Sequence, residues 1–411
     1  MLFRSGDPLF FLAGGPGQSA LDIAAMINVG FRKVRADRDL VLIDQRGTGR
    51  SSPLDCIATD LDPFATLSDA ATTELVRACI AGLGDNLHHF NTDNSAHDID
   101  RLRRALGYGR INFYGGSYGT RLGLVFLRHY PGSARAAILD SVGPLQVPIG
   151  AFGQSSARAF RLLLDECAAD AGCAAAFPDL ERTFDDLVQR LRAQPVTATI
   201  THPTLGTDTT LNLDYRLLIN NLRLMLYSTR TRRLVPLVIE QTAAGNYAPL
   251  IGVMAQALET ADQISVGLNL NIICNEDFPR MSTEDLTADA DNDFGRDTSH
   301  HLWQLACPIW PRYDTAPGYA QAVQADVPVL LVSGEMDPVT PPGNAEIAGE
   351  ALAQSRHVVV PRGAHTTTFH SCAADIVADF LEEPANLRSL DTDCVTETPG
   401  TRFMLSLNDG G

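Results

Sequence analysis

The chain has 411 residues, of which 45% are hydrophobic, and it carries a formal net charge of −17 at pH 7. This length and apolar content allow one large core and a smaller accessory domain. The negative charge argues against a nucleic-acid partner, because phosphate binding needs clustered cations. Lys33 is the single lysine, which excludes a phosphate-binding lysine of the Walker type.

Six short apolar segments, bounded by turn residues, are predicted to form buried parallel strands. They span residues 8–13, 39–43, 111–114, 136–139, 328–332 and 357–360. Helical patterns lie between them, notably at residues 94–106 and 118–129. This alternation predicts an α/β fold with a mostly parallel, doubly wound sheet and right-handed crossovers.

The alternation is interrupted between about residues 142 and 326. Residues 156–194 and 213–261 have amphipathic or mainly apolar helical patterns, and we see no strand pattern there comparable to those of the core. We therefore expect a mainly helical cap, residues 144–325, inserted into a catalytic domain of residues 1–143 and 326–411.

The eight cysteines form four pairs of neighbours in the sequence, and pairing by proximity is our hypothesis among about 105 connectivities. An even number of cysteines closing short loops favours disulfides and an oxidising compartment over buried free thiols. The predicted pairs are Cys56 with Cys79, Cys167 with Cys173, Cys274 with Cys307, and Cys372 with Cys394.

We expect no metal and no other cofactor, because neither Cys-x-x-Cys nor His-Glu-x-x-His occurs. The sequence has no run of 18 or more apolar residues, so we also expect no stable membrane insertion.

The first predicted strand begins by Leu9, which leaves no room for a signal peptide. Either a leader has been removed or the sequence starts after the true N-terminus; we favour the latter and expect a periplasmic or secreted protein.

A serine lies in a glycine-flanked turn directly after the third predicted strand. Residues 115–119 read Gly-Gly-Ser-Tyr-Gly, with Ser117 at the centre. The Gly-x-Ser-x-Gly pattern makes the tight strand-to-helix turn that exposes a nucleophile. It also arises by chance in glycine-rich loops, but here a strand precedes it and a helix follows. Ser117 is therefore the candidate nucleophile.

A serine nucleophile needs a base, and the base needs an acid that orients it. Asp337 follows the strand at residues 328–332, and His365 follows the last predicted strand. Ser117, Asp337 and His365 thus occur in the chain order of an α/β-hydrolase. The alternative for Asp337 is a turn or cap before the prolines, and for His365 it is a surface loop histidine.

Other residues compete for the same roles. Asp140 follows the fourth strand and is the main competing acid, whereas Glu335 is a weaker one. His357 lies inside a predicted strand, and His370 lies where a helix should have begun, so neither is preferred as the base.

A glycine-rich run, Gly-Gly-Pro-Gly at residues 14–17, follows the first strand. Its backbone N–H groups are candidates to stabilise a developing oxyanion, together with the N–H of Tyr118. Such a run can also cradle phosphate, but no Lys-Ser/Thr ending accompanies it. An oxyanion hole is therefore the favoured interpretation.

These motifs together resemble peptidase family S33, the branch of the α/β-hydrolases that holds prolyl and tripeptidyl aminopeptidases. The resemblance extends from residue 8 to the helix after His365. It rests on Gly-Gly-Pro-Gly at 14–17, Asp-Gln-Arg-Gly-Thr-Gly-Arg-Ser at 44–51, Gly-Gly-Ser-Tyr-Gly-Thr-Arg at 115–121, Asp-Pro-x-Thr-Pro at 337–341 and Gly-Ala-His at 363–365. It implies an α/β-hydrolase fold, the triad Ser117, Asp337 and His365, and an oxyanion hole of Gly15 and Tyr118.

The chain departs from the single-domain prolyl aminopeptidases at Ala13, where those enzymes commonly carry histidine. This difference, the eight cysteines and the long C-terminal segment make it more similar to the exported tripeptidyl-aminopeptidase-like group. The resemblance therefore implies small peptide substrates with a free N-terminus, from which short peptides or single residues are released. No oligomeric state is predicted.

An exopeptidase needs a carboxylate to pair with the α-ammonium of its substrate. Cys-Asn-Glu-Asp at residues 274–277 resembles a motif of this group, so Glu276 is the first candidate and Asp277 the second. The alternative is that both are solvated surface acids. The aromatic residues Trp303, Trp310 and Phe278 either line a pocket for a small side chain or pack inside the cap.

The leading interpretation is a serine aminopeptidase. A carboxylesterase would share the triad but would need no carboxylate for an amine, so dependence on a free α-amine separates the two. A non-catalytic binding protein on the same fold is disfavoured, because no member of the triad is missing.

Overall fold

The computed structural model describes residues 5–56, 64–261, 263–296 and 301–408. Its strands are β1 Leu9–Leu12, β2 Leu40–Leu42, β3 Ile111–Gly116, β4 Ala134–Asp140, β5 Val196–Thr201, β6 Asp208–Leu213, β7 Val329–Gly334 and β8 Ser355–Val360. Its helices are α1 Ala24–Gly30, α2 Val34–Asp37, α3 Asp69–Gly82, α4 Thr92–Ala105, α5 Tyr118–His129, α6 Gly153–Ala169, α7 Ala171–Ala176, α8 Leu180–Ala193, α9 Tyr215–Leu226, α10 Thr229–Arg232, α11 Val235–Ala243, α12 Ala248–Ala261, α13 Val266–Ile272, α14 Thr283–Asp289, α15 His301–Ala306, α16 Pro342–Gly349 and α17 Ala373–Glu382.

The six predicted core strands form one sheet in the order β2-β1-β3-β4-β7-β8, and every neighbouring pair is parallel. Successive side chains of a strand point to opposite faces of the sheet. Phe10 accordingly packs in a cluster with α5 residues, whereas Phe11 packs in a second cluster with α17 residues. Helices thus cover both faces, which confirms the predicted doubly wound α/β architecture.

The chain between β4 and β7, residues 141–328, forms the insertion. It contains α6 to α15 and contributes most of one apolar cluster, including Phe160, Leu187 and Leu222. It also contains an antiparallel hairpin of β5 and β6 that the sequence analysis did not predict. Every second residue of β5 is exposed, so its sequence lacks the continuous apolar run that marks the core strands. The alternation of apolar residues with threonine along residues 196–201 was the available signal.

All four predicted disulfides are present: Cys56–Cys79, Cys167–Cys173, Cys274–Cys307 and Cys372–Cys394. The first and third belong to one apolar cluster that also contains Tyr118 and Trp310. In the part of the chain that the structure describes, no helix combines the length and apolarity required to cross a membrane.

A buried ion pair joins the insertion to the helix that follows β3. Arg121 of α5 and Asp277 are both fully buried, and the Arg121 guanidinium donates to the Asp277 carboxylate. Arg280 Nη2 also donates to Asp277 Oδ1 at 2.9 Å. The remaining Arg121 donors meet backbone carbonyls, among them Pro144 O at 2.9 Å. The charges are therefore compensated within the core, as buried charges must be.

Asp277→Asn should lower the free energy of unfolding by about 3–5 kcal/mol, because it leaves the Arg121 charge buried without its partner. Glu74→Gln is the matched control, since its pair with Arg77 is more than half exposed and should contribute less than about 1 kcal/mol. Urea unfolding of both variants measures the difference. Equal losses in the two variants would contradict the interpretation.

Candidate active site

Ser117 lies in the turn between β3 and α5, with φ 55° and ψ −125°. Close backbone packing explains the flanking glycines, because a Cβ on Gly119 would lie 2.0 Å from Leu12 O and one on Gly115 would lie 2.4 Å from Gly119 O. The Ser117 N–H donates to Asp140 O at 2.9 Å. The turn thus holds Ser117 at the carboxyl end of the sheet in the geometry of a nucleophile elbow.

His365 and Asp337 meet at the same edge, after β8 and β7. His365 Nδ1 lies 2.8 Å from Asp337 Oδ2 and 3.0 Å from Oδ1. The Asp337 carboxylate also accepts from the backbone N–H groups of Val339 and Thr340, and from Thr340 Oγ1. Asp337 has no exposed surface, and His365 is 8% exposed. This network fixes the carboxylate and leaves Nε2 as the ring nitrogen away from Asp337.

The two groups perturb each other's pKa values. Burial lowers the pKa of His365, but the charge of Asp337 and its hydrogen bond outweigh burial and leave the pKa raised. Burial raises the pKa of Asp337, but the charge of His365 and hydrogen bonds outweigh it and leave that pKa lowered. His365 therefore stabilises the fold fully at pH values below its pKa in the unfolded chain, and this contribution is lost as pH rises through its pKa in the folded protein. Asp337 stabilises the fold at pH values above its unfolded pKa, and this contribution is lost as pH falls through its folded pKa.

The competing residues have other partners. Asp140 is fully buried and accepts from Tyr114 Oη at 2.7 Å and from the Thr368 N–H at 2.9 Å. Glu335 Oε2 accepts from the Arg362 N–H at 2.8 Å. His357 Nε2 lies 2.9 Å from Ser333 Oγ. The geometry therefore favours Asp337 as the acid that meets His365.

The glycine run after β1 lies against Ser117. A Cβ on Gly14 would lie 3.0 Å from Gly116 O and 3.1 Å from Ser117 Cβ. Gly15 has φ +103°, a conformation that glycine adopts without strain. Tyr118 is the first residue of α5, where backbone N–H groups have no partner within the helix. The run and the start of α5 are thus adjacent, as an oxyanion hole requires.

Ser117 and His365 line one cavity of about 420 Å³, which we call the Ser117 cavity. Gly15, Tyr118 and His370 also line it. Its wall is mainly apolar and is formed by residues of the insertion and by residues outside it. The apolar and aromatic side chains are those of Phe11, Ile23, Met26, Tyr114, Ile149, Phe152, Leu224, Tyr227, Ile264, Val339 and Phe369.

The two predicted amine-binding acids do not line the Ser117 cavity among the described residues. Both belong to a π-helical turn, Ile273–Asp277, and both are buried, with Glu276 1% exposed. Burial raises the pKa of Glu276 and outweighs the hydrogen bonds from Thr92 and Tyr319, which act in the opposite direction. The alternative of solvated surface acids is therefore wrong, and neither carboxylate opens into this cavity.

The aromatic residues proposed for a pocket lie elsewhere. Trp310 Nε1 donates to Asn271 Oδ1 at 3.0 Å in a buried position, and Trp303 packs edge-to-face on Phe152. Phe278 contacts the same apolar cluster as Trp310. These three side chains are thus packing residues of the insertion, the second of the two alternatives.

Two residues that contact the histidine were not singled out from the sequence. Thr340 bonds Asp337 and lies 3.4 Å from His365 Nδ1, and the predicted Asp-Pro-x-Thr-Pro turn already contained it. The backbone N–H of His365 donates to the carbonyl oxygen of Tyr227, a residue of the insertion, at 3.2 Å. The Tyr227 ring packs edge-to-face on the imidazole, with centroids 5.2 Å apart. No sequence pattern around Tyr227 predicts this contact.

Residues 7–369 match the family described as alpha/beta hydrolase fold. The chain belongs to this family, in agreement with its sheet and its Ser117 turn. Serine protease Hip1 of Mycobacterium tuberculosis is 27% identical over 412 aligned residues, which cover 90% of this chain and 77% of that protein. Tripeptidyl aminopeptidase of Streptomyces lividans is 33% identical over 150 residues, 33% of this chain and 28% of that protein. Proline iminopeptidase of Neisseria gonorrhoeae is 30% identical over 137 residues, 33% of each chain.

Asp337→Asn should move the titration of the His365 imidazole to lower pH. The substitution removes the charge that raises the pKa, whereas the burial that lowers it remains. Imidazole ¹⁵N NMR titrations of the wild type and the variant measure the shift, with His365→Gln used to assign the signal. An unchanged titration would contradict the assigned pair.

Proposed function

We propose that the protein is a serine aminopeptidase that hydrolyses peptide bonds near the free N-terminus of small peptides. The observation that carries this proposal is that Ser117 and His365, whose imidazole is bound to Asp337, line one cavity. The similarity to a serine protease, a tripeptidyl aminopeptidase and a proline iminopeptidase supports the peptidase assignment.

In this mechanism Ser117 Oγ attacks the carbonyl carbon of the scissile bond, and His365 Nε2 takes the serine proton. Asp337 holds Nδ1–H and stabilises the imidazolium that forms. The N–H groups of Gly15 and Tyr118 donate to the oxyanion of the tetrahedral intermediate. His365 then protonates the leaving amine, and a water molecule activated by the same imidazole hydrolyses the acyl-enzyme.

The raised pKa of His365 gives the reaction a pH dependence. Nε2 accepts a proton only from the neutral imidazole, so the rate of acylation falls as pH drops below the raised pKa. The lowered pKa of Asp337 keeps its carboxylate ionised across that range.

A carboxylesterase is the second candidate, and one observation favours it. Among the described residues that line the Ser117 cavity there is no carboxylate to pair with an α-ammonium, and most of the wall is apolar. An apolar acyl group fits such a wall without a buried charge. The two candidates share the triad and differ in their need for a free amine.

We also propose a periplasmic or secreted location, which four disulfides and the similarity to Hip1 support. We propose, too, that the chain divides into a catalytic domain, residues 1–143 and 326–411, and a cap, residues 144–325. The insertion contributes Leu224, Tyr227 and Ile264 to the cavity wall, as a cap that restricts entry would.

The test compares chromogenic amides of proline, alanine and a tripeptide, each with a free and an acetylated amine, and a short acyl ester. An aminopeptidase should cleave the amides only when the amine is free. Ser117→Ala should lower kcat on the order of 10⁶-fold, because the nucleophile is lost.

Turnover of the ester alone, or amide turnover that acetylation leaves unchanged, would overturn the aminopeptidase assignment in favour of the esterase. Full activity of Ser117→Ala on every substrate would overturn both. Glu74→Gln, on an exposed face of α3, controls for handling of the variants.

A further inference from the structure

We propose that Glu276 is a positioning residue that holds Tyr118, and with it the start of α5, through Thr92. This inference rests on the proposed function, in which the Tyr118 N–H stabilises the oxyanion. It gives the buried acid a role other than binding of the substrate's ammonium.

The Glu276 carboxylate is surrounded by donors. Oε1 accepts from the Thr92 N–H at 2.8 Å, and Oε2 accepts from Thr92 Oγ1 at 2.5 Å and from Tyr319 Oη at 2.6 Å. Tyr313 Oη lies 3.4 Å from Oε1. Each oxygen has partners already, and the side chain is 1% exposed. A substrate ammonium would have to displace these donors in order to bind.

When Glu276 is ionised, its hydrogen bonds have one direction, which leads to Tyr118. Thr92 Oγ1 lies 2.7 Å from Tyr118 Oη. A threonine hydroxyl has one hydrogen, which Thr92 gives to the Glu276 carboxylate, an acceptor when ionised. With Glu276 ionised, Tyr118 Oη therefore donates to Thr92 Oγ1. The carboxylate thus orients the threonine hydroxyl, and the threonine hydroxyl orients the tyrosine ring.

The anchor acts at the beginning of two helices. Thr92 is the first residue of α4, where a carboxylate is favoured by the free N–H groups and the helix dipole. Tyr118 is the first residue of α5 and directly follows Ser117. Its ring is buried, with 2% of the residue exposed. Because ring and backbone belong to one residue, an anchored ring limits movement of the N–H that faces the oxyanion.

A donor that is misplaced by a fraction of an ångström loses much of its effect on the transition state. Loss of a whole oxyanion-hole donor costs about 10²–10³-fold in kcat. Loss of the anchor leaves the donor present and less well placed, so we expect a decrease of roughly tenfold, with a KM that changes little. The decrease should be the same for every acyl substrate.

The experiment measures kcat and KM of Glu276→Gln on a free-amine amide, its acetylated form and an acyl ester. A positioning role predicts the same fold decrease in kcat on each substrate that the wild type cleaves. An ammonium ligand would instead raise KM for the free-amine amide alone, and that result would overturn the proposal. A lower Tm with kcat unchanged on all substrates would also overturn it.

Two further variants provide a test if Glu276→Gln does not fold. Tyr118→Phe removes the hydroxyl and keeps the backbone N–H, and Thr92→Val removes the hydroxyl between them. If the three groups act in series, the double variant Tyr118→Phe/Thr92→Val should lose no more kcat than the more affected single variant. Thr92→Ser, which keeps the hydroxyl, should retain the kcat that Thr92→Val loses. Additive losses would contradict a chain of contacts.

The test of Glu276 does not depend on whether the protein is an aminopeptidase. Ester hydrolysis passes through the same oxyanion, so an esterase tests the positioning role equally well. The rate at which a fluorophosphonate labels Ser117 provides a readout that does not depend on the choice of substrate, and it should fall in Glu276→Gln but not in Glu74→Gln. Equal labelling rates in the wild type and Glu276→Gln would overturn the proposal.

Discussion

The close approach of the start of α5 to the end of β1 is the constraint on which the candidate site depends. No side chain fits between Gly119 and Leu12 O, because a Cβ there would lie 2.0 Å from the oxygen. The helix therefore starts directly against the strand, and Ser117 is held beside Gly14. Two segments about a hundred residues apart in sequence thus meet at the candidate nucleophile, and both supply candidate donors for the oxyanion.

Much of this arrangement could be predicted because it depends on local sequence. Ser117, Asp337 and His365 each follow a short apolar run, and the carboxyl ends of parallel strands meet at one edge of a sheet. The disulfides close short loops, so proximity in sequence was a good guide to pairing. In each case a few neighbouring residues carry the information, and the regular geometry of the sheet supplies the rest.

The contacts of the insertion could not be predicted in this way. Tyr227 reaches His365 from a helix end that nothing in its neighbourhood marks as part of the site. The β5–β6 hairpin was missed because its strands are half exposed, unlike the buried core strands. Such contacts join residues far apart in sequence and depend on how helices of irregular length pack, which a single sequence does not specify.

The adjacent acids Glu276 and Asp277 show why a motif does not by itself define a role. They lie in one π-helical turn but face different partners, Glu276 the start of α4 and Asp277 the Arg121 guanidinium of α5. Both oxygens of Glu276 already accept from buried donors, which leaves that carboxylate little capacity for an incoming ammonium. The same turn therefore ties the insertion to α4 and α5, the two helices that Glu276 and Asp277 contact.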